Sequence, residues 1–253
     1  MQKPLITLTH LYDKELSIYG DIGNLIAMTS LLKAIGCRVG VHNVSVGDSL
    51  PLQTDWYFIG GGADRDQADV ASDLLKKKDT LLDEITYKNI PMLAICGGYQ
   101  LLGEQFVTAN GDTLPGISLF PVTTEAPSNA LKDRCVGNVV AHSLHPEIKG
   151  NIVGFENHSG QTRAASSKFS PLARVKRGNG NAWRAQFEGC IWHNAIGSYF
   201  HGPCLAKNPS IALFFIRTIL KNRGLLDNYI TALDALDLDI EYALHSHLTS
   251  RFR

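Results

Sequence analysis

The sequence predicts an α/β fold in which a mostly parallel central sheet is flanked by helices. Short, continuous apolar runs, such as Trp56–Ile59 and Met92–Ile95, are typical of parallel strands that are covered on both faces. Helical periodicity alternates with such runs in the N-terminal half. Glycines follow both runs directly or within two residues, and ligands of α/β sheets bind where parallel strands reach their carboxyl ends.

The first elements are a strand, a helix and a second strand. Residues 4–10 (PLITLTH) predict the first buried strand. Asp21 is interpreted as the N-cap of the following helix, although it could instead be a polar group that faces an active site at a strand end. Apolar residues then recur at helical spacing until Gly36, which lies where a C-cap glycine is expected. Residues 38–44 alternate weakly and predict the second strand.

The middle of the chain begins with helices and then becomes rich in strands. A long helix is predicted over residues 67–88, and a second one from Tyr99 to about Phe106. The strand-like segments that follow are 116–124, 134–142, 151–155, 172–176 and 188–200.

The C-terminal part is predicted to be helical. Asn208 and Pro209 combine an N-cap with proline at the first helical position, and Gly224 ends this helix. The tail, about 225–253, fits an amphipathic helix docked on the domain or on a partner. No convincing linker interrupts the chain, so we expect residues 1–253 to form a single domain.

Composition excludes several classes of function. Lys plus Arg equals Asp plus Glu at 24 each, so nucleic acid or an anionic membrane is not expected as the principal partner. Five cysteines without a CxxC motif argue against a disulfide framework and against a metal site built from thiolates. With neither a signal peptide nor an apolar stretch of membrane-spanning length, the sequence predicts a cytoplasmic protein without membrane insertion.

Cys96 lies at the centre of the most informative stretch, PMLAICGGYQLLG. An apolar strand, a Cys, two glycines and a helical pattern predict a tight turn that pushes the sulfur out of the sheet. The helix that begins behind the sulfur favours negative charge, which makes a thiolate nucleophile available. Cys96 could instead be an ordinary buried thiol, but Gly97 and Gly98 favour the nucleophile.

A thiolate nucleophile requires a base, and histidine is the side chain best suited to that task. Among the nine histidines, His201 is favoured because it ends an apolar run and is followed by Gly202 and Pro203. His158, in GFENHSG, is the rival candidate. The chain contains no GxxxxGK[ST] motif, so no ATP site is expected on it.

These motifs together carry a resemblance to a known family. FIGGGADRDQ, ICGGYQLLG and SYFHGP resemble a class I glutamine amidotransferase of the cobyric-acid-synthase-like branch, which implies a flavodoxin-like fold. Within that branch, YGDIGN, IVGFENHSG and GSYFHGP are similar to glutaminase subunits that work with a MurT-type, Mur-ligase-like subunit. The resemblance extends over nearly the whole chain, and its motifs occur in the same order and at comparable spacing.

The resemblance implies roles for the site residues. Cys96 would attack the carboxamide of L-glutamine to form a thioester and release ammonia, with His201 acting as base and then as acid. The amides of Gly61 or Gly62 and of Gly97 would hold the oxyanion. Three glycines at a strand end could equally be a tight turn, which leaves both interpretations open.

Two further side chains are implied in substrate binding. Arg134, in KDRCVGNVV, matches the family arginine that binds the α-carboxylate, a role suited to a planar, bidentate cation. Alternatively, Arg134 could be a surface residue at a strand end. Gln100 would line the pocket or merely belong to the start of the helix.

One position departs from the wider class I pattern. That pattern places a Glu two residues after the histidine, where this chain has Pro203. Glu156, or an acid donated by the partner, is therefore expected to orient His201. A partner-donated acid would couple glutamine hydrolysis to formation of the complex.

The resemblance also implies the partner and the acceptor. The MurT-type subunit, in a heterodimer with this chain, would use ATP and Mg²⁺ to activate D-glutamate of the lipid II stem peptide. No cofactor and no metal are expected on the chain itself. The alternatives are an amidotransferase for a cobyrinate-type carboxylate, a γ-glutamyl thiol hydrolase, and a catalytically inactive binding module.

Overall fold

Helices and strands alternate at first, and the chain becomes strand-rich after residue 104. A computed structural model describes residues 3–62, 64–128 and 130–251. The strands are β1 (Leu5–Leu11), β2 (Arg38–Val44), β3 (Trp56–Ile59), β4 (Met92–Ile95), β5 (Gln105–Val107), β6 (Thr113–Pro115), β7 (Val122–Glu125), β8 (Cys135–Ser143), β9 (Asn151–His158), β10 (Gln161–Ala164), β11 (Ala173–Arg177), β12 (Phe187–Glu188), β13 (Cys190–Trp192) and β14 (Ala195–Ser198). The helices are α1 (Gly23–Ala34), α2 (Asp64–Leu82), α3 (Gly97–Leu101), α4 (Cys204–Lys207), α5 (Pro209–Asn222), α6 (Leu226–Asp234) and α7 (Asp239–Arg251).

The central sheet has the strand order β13-β14-β4-β3-β1-β2. All neighbours in it pair in parallel except β13, which is antiparallel to β14. Alternate residues of β3 point to opposite faces: Trp56 packs against Phe215 of α5, while Tyr57 donates a hydrogen bond to Glu84 just after α2. The predicted mostly parallel sheet, flanked by helices, is therefore confirmed.

Two smaller sheets complete the fold, with strand orders β10-β7-β5-β6 and β12-β11-β8-β9. Strand β9 crosses the segment after β14, where Phe155 and His201 form an isolated bridge. A Cβ on Gly154 would lie only 2.1 Å from the ring of Phe200, so β9 fits there because it has a glycine at that position. This crossing fixes the end of β14 against the third sheet.

Several predicted boundaries are wrong. The helix after Cys96 ends at Leu101, well before Phe106, because Gly103 lies against Val122 and the chain turns into the pairing of β5 with β7. The single strand predicted over 188–200 is interrupted by a tight turn at His193, which has φ 51°, and this turn joins β13 to β14. Of the strand predicted over 116–124, only 122–124 is extended, as the first part of β7, and strands β5, β6 and β10 were not predicted.

The C-terminal tail forms two helices where one amphipathic helix was predicted. Leu233 of α6 and Leu238 before α7 are buried against the domain, whereas α7 has no buried residue and Ile240 is 81% exposed. His245 nevertheless contacts the carbonyl of Lys207, at 2.8 Å. The tail therefore packs on the domain through part of its apolar residues. No helix in the described ranges is long and apolar enough to span a membrane.

Candidate active site

Cys96 occupies a strained turn between β4 and α3. Its φ of 49° and ψ of −105° are unusual for a residue with a side chain, and such strain is concentrated at functional sites. Its amide donates to the carbonyl of Ser198 at 2.9 Å, which ties the turn to the neighbouring strand. A Cβ on Gly98 would lie 2.8 Å from Ile59 and 2.9 Å from the carbonyl of Gly60, so the turn requires a glycine there.

The structure brings His201 next to Cys96. A Cβ added to Gly61 would lie 2.8 Å from Cε1 of His201 and 3.1 Å from Cβ of Cys96, so both side chains converge on this glycine. Both are buried, with His201 1% and Cys96 7% exposed. Burial alone would lower the pKa of His201, but the Cys96 sulfur and the Asp21 carboxylate raise it to about 10. The arrangement therefore favours an imidazolium beside the sulfur.

Asp21 holds the other side of the imidazole. Nδ1 of His201 lies 3.0 Å from Oδ2 and 3.2 Å from Oδ1 of Asp21, which is fully buried. The carboxylate also accepts from the amides of Gly61 at 3.1 Å and Gly202 at 2.8 Å. The N-cap residue of α1 is Ile22, so the favoured N-cap interpretation of Asp21 is wrong, and the alternative of a polar group in the site is confirmed.

The prediction that Glu156 orients His201 is wrong. Glu156 is buried, and its carboxylate accepts hydrogen bonds from the amide and Nδ2 of Asn179 and from the amide of Gly180. Both carboxylate oxygens are therefore bonded to residues other than His201. Pro203 fills the position of the expected Glu and packs against Gly23, where a Cβ would lie 2.9 Å from the proline Cβ. Within this chain, Asp21 rather than Glu156 contacts Nδ1 of His201, and the acid expected from a partner stays a prediction.

The motif YGDIGN is explained by this arrangement. Nδ2 of Asn24 donates to the carbonyls of Asp21 and Gly202, each at 3.1 Å, and its Oδ1 accepts from the amide of Leu205 at 2.9 Å. Asn24 thus joins the Asp21 loop to the segment after His201. An Asp and an Asn three positions apart, in a chain that lacks the usual Glu, form the signal that could have identified Asp21.

The glycine turn after β3 places the backbone amides of Gly61 and Gly62 in different surroundings. The Gly61 amide donates to Asp21, so its predicted use as an oxyanion donor is wrong. The Gly62 nitrogen lies 3.2 Å from the position that a Cβ on Gly97 would occupy, so these two backbones are adjacent. Glycine is required at position 60 because a Cβ there would lie 2.4 Å from the carbonyl oxygen of Leu16.

Gln100 lies one helical turn after Cys96 and is buried. Its Nε2 donates to the hydroxyl of Tyr199 at 3.2 Å, and that hydroxyl shares a hydrogen bond with Thr162 at 2.6 Å. Burial raises the pKa of the Tyr199 hydroxyl, and the Cys96 sulfur raises it further. Gln100 is therefore buried in the hydrogen-bond network around Tyr199, and its expected place in the pocket wall stays a prediction.

Arg134 lies just before β8, half-buried, and is held by Asn157. Its Nε donates to Oδ1 of Asn157 at 3.1 Å, and a terminal nitrogen donates to the carbonyl of the same residue at 3.0 Å.

His158, the rival base, stacks on Tyr199 at 3.6 Å between ring centroids and donates from Nδ1 to the carbonyl of Gly160. Burial lowers the pKa of His158 to about 3, so this ring is neutral.

The assembled groups suit acyl transfer. A sulfur nucleophile, an imidazole, a carboxylate and two adjacent glycine backbones are the components that a thioester mechanism uses. Within residues 3–62, 64–128 and 130–251, no three His, Cys, Asp or Glu side chains form a group that could hold a metal ion.

Comparison with known proteins gives the same chemistry. Residues 7–209 match the CobB/CobQ-like glutamine amidotransferase domain. The lipid II isoglutaminyl synthase (glutamine-hydrolyzing) subunit GatD of Staphylococcus aureus is 36% identical over 87% of this chain and 86% of its own length. GatD of Streptococcus pneumoniae is 35% identical over 86% of this chain and 82% of its own. A probable cobyric acid synthase of Methanothermobacter thermautotrophicus is 28% identical over 74% of this chain but only 37% of its own length.

Solved structures show the same fold. A glutamine amidotransferase of Thermotoga maritima superposes with a TM-score of 0.50 at 15% identity, covering 97% of this chain and 94% of that one. A GMP synthase component of Thermoplasma acidophilum gives a TM-score of 0.53 at 17% identity, covering 88% of this chain and 98% of that one. At such low identity these likenesses concern the fold alone, and they confirm the predicted glutamine amidotransferase-like class.

Proposed function

Because the chain belongs to the CobB/CobQ-like glutamine amidotransferase family, we propose that it is the glutaminase subunit of a lipid II isoglutaminyl synthase. The observation that carries this proposal is the convergence of Cys96, His201 and Asp21 in one buried site. The acceptor is supported by two relatives of similar length that are named as GatD subunits of this synthase.

The proposed reaction begins from a Cys96 thiolate and a His201 imidazolium. The sulfur attacks the side-chain carbonyl carbon of L-glutamine, and the imidazolium gives its Nε2 proton to the amide nitrogen, which leaves as ammonia. The neutral imidazole then takes a proton from water, whose oxygen attacks the thioester. Glutamate and the thiolate are released, and His201 is again protonated. Asp21 keeps Nδ1 protonated and stabilises the imidazolium throughout.

Neighbouring groups are proposed to bind the substrate and the transition state. The amides of Gly62 and Gly97 would donate to the oxyanion, and each such donor is typically worth about 3 to 4 kcal/mol of transition-state stabilisation. Arg134, held by Asn157, would bind the α-carboxylate. Gln100 would line the pocket wall through its bond to Tyr199.

The ammonia is proposed to pass to a MurT-type, Mur-ligase-like subunit in a heterodimer. That subunit would bind ATP and Mg²⁺, activate the D-glutamate carboxylate of the lipid II stem peptide and accept the ammonia. We place the complex in the cytoplasm, which fits five cysteines that are all free.

Cys96→Ala tests the proposal in the complex with the ligase subunit. We expect glutamine-dependent amidation of lipid II to fall by at least about a thousandfold, because the nucleophile is lost. Amidation from high added ammonia should persist, because carboxylate activation belongs to the partner. Cys37→Ala, which removes another buried thiol, is the matched control and should retain both activities. Loss of both activities in Cys96→Ala would contradict the proposal.

A second acceptor can be tested in parallel. The partial match to cobyric acid synthase favours a cobyrinate-type carboxylate as the alternative. Supplying each acceptor with its own ATP-dependent partner and ¹⁵N-labelled glutamine, and measuring ¹⁵N incorporation, distinguishes the two. Incorporation into the cobyrinate-type product alone would replace lipid II as the acceptor.

A further inference from the structure

Tyr19 lies at the surface directly against His201. The two rings meet edge to face, with centroids 4.7 Å apart and planes at 66°. Tyr19 is 51% exposed whereas His201 is 1% exposed. The tyrosine ring therefore forms a layer between the imidazole and the solvent. Tyr19 begins the motif YGDIGN, but the proposed mechanism gives it no role.

The backbone holds Tyr19 in this place by contacts on both sides. Ile18 donates from its amide to the carbonyl of Gly61 at 3.2 Å, and Asp21 donates to the carbonyl of Ile18 at 3.2 Å. Between them, Tyr19 has φ 55° and Gly20 has φ 77°. A left-handed conformation is unfavourable for tyrosine, so the surrounding contacts must stabilise it. The ring is thus placed by the glycine turn on one side and by the Asp21 loop on the other.

The orientation of the imidazole plane requires such a contact. The outer torsion of a histidine side chain is broad, so packing decides where the ring nitrogens point. Asp21 anchors Nδ1, and Gly61 lies against Cε1 on the inner side. A ring on the solvent side is needed to prevent the imidazole from swinging outward, which would move Nε2 away from the sulfur of Cys96.

We propose that Tyr19 is a positioning residue that covers His201 and holds its imidazole in line between Asp21 and Cys96. This inference rests on the proposed glutaminase function. The contact is made by the ring, so the phenol hydroxyl is not required. Tyr19→Phe should therefore preserve the effect, and Tyr19→Ala should remove it.

The first measurement is glutamine hydrolysis by the complex. Tyr19→Ala should lower kcat about tenfold to a hundredfold, the range that follows from small displacements of a catalytic group, with KM within about twofold. Tyr19→Phe should restore kcat. Tyr87→Ala removes a tyrosine that is 79% exposed and has no such contact among the described rings, and it should behave as the wild type. A rise in KM at unchanged kcat would overturn the proposal, because Tyr19 would then bind substrate.

The second measurement does not depend on glutamine turnover. The Nδ1 proton shared with Asp21 should give a far-downfield proton resonance in the full chain, since Tyr19 slows its exchange with water. This resonance should be retained in Tyr19→Phe and broadened beyond detection in Tyr19→Ala. If the wild type lacks it, or if Tyr19→Ala retains it, Tyr19 does not shield the imidazole. If glutamine is not a substrate but the resonance behaves as expected, only the proposed function fails.

Tyr19→Leu is the second variant, in case Tyr19→Ala is unstable. It keeps apolar bulk in the left-handed turn but removes the flat ring, so we expect kcat between those of Tyr19→Ala and Tyr19→Phe. Thermal unfolding of each variant separates a local effect from loss of the fold. A kcat of Tyr19→Leu equal to the wild type would overturn the requirement for a ring.

Discussion

The Cys96 turn and the loop that carries Asp21 place buried groups on opposite sides of the same histidine. Both follow parallel strands of the central sheet at their carboxyl ends, β4 for Cys96 and β1 for Asp21. The Cys96 turn is specified by adjacent residues, because the apolar run, the Cys and the two glycines define a strained backbone locally. Asp21 acquires its meaning only from His201, 180 positions away. Chemistry that depends on local backbone geometry can be predicted, whereas chemistry that depends on a distant partner requires the fold.

Asp21→Asn tests the contact of Asp21 with His201, which could not be predicted from the sequence, and should have the largest effect on catalysis. Loss of the third member of a triad can lower kcat by up to about ten thousandfold, because the imidazole is no longer held and stabilised as a cation. We therefore expect kcat for glutamine hydrolysis to fall between about a hundredfold and ten thousandfold. Steady-state kinetics of the complex, with ammonia-dependent amidation as the control, provides the measurement.

Asp21→Asn should also shift the pH dependence of kcat/KM in a defined direction. The Asp21 carboxylate raises the pKa of His201, so its removal should lower that pKa. The imidazolium would then lose its proton at lower pH, and the alkaline limb of kcat/KM should move toward neutrality. An unchanged alkaline limb would mean that the Asp21 charge does not act on His201 during turnover.

Much of the central sheet could be predicted from the sequence. Strands β2, β3 and β4 were placed within a residue, because buried parallel strands are short apolar runs bounded by glycine and polar residues. The helix from Pro209 was also placed correctly. Asn208 is its N-cap residue as predicted, although the side chain bonds to the backbone of Val153 and makes no capping hydrogen bond.

The second sheet was predicted less well than strands β8, β9 and β11 of the third, because its short strands are ordered by long-range pairing. The short strands β5, β6 and β10 have little apolar periodicity and are extended mainly through their partners in the second sheet. In the candidate site, Cys96 and His201 follow strand ends and were predicted from the adjoining glycines, and the structure places both side chains against Gly61. Asp21 was misassigned because an Asp before a helix is most often an N-cap, and nothing local distinguishes the two roles.

Gly61→Ala probes the contact between the two regions. Its Cβ would lie 2.8 Å from Cε1 of His201, too close unless the imidazole moves. We expect kcat to fall about tenfold to a hundredfold, since a displacement of about 1 Å can cost that much. Gly40→Ala is the matched control, because its Cβ would make only an ordinary contact, 3.7 Å from Leu5. Wild-type kcat in Gly61→Ala would contradict the close packing of glycine turn and histidine.

Glu156→Gln should have the smallest catalytic effect and distinguishes the two carboxylates most directly. Glu156 was expected to orient His201, but its oxygens accept from Asn179 and Gly180, and Asp21 contacts the imidazole. The glutamine would turn an NH₂ group toward an N–H donor in a buried place, which should lower the free energy of unfolding by about 1 to 3 kcal/mol. Urea unfolding and steady-state kinetics of the same preparation separate the effect on stability from the effect on catalysis.

Stability and catalysis depend on different acids here. Glu156→Gln should therefore lower the free energy of unfolding and leave kcat within about threefold, whereas Asp21→Asn should reduce kcat far more. A loss of kcat in Glu156→Gln as large as in Asp21→Asn would return the orienting role to Glu156.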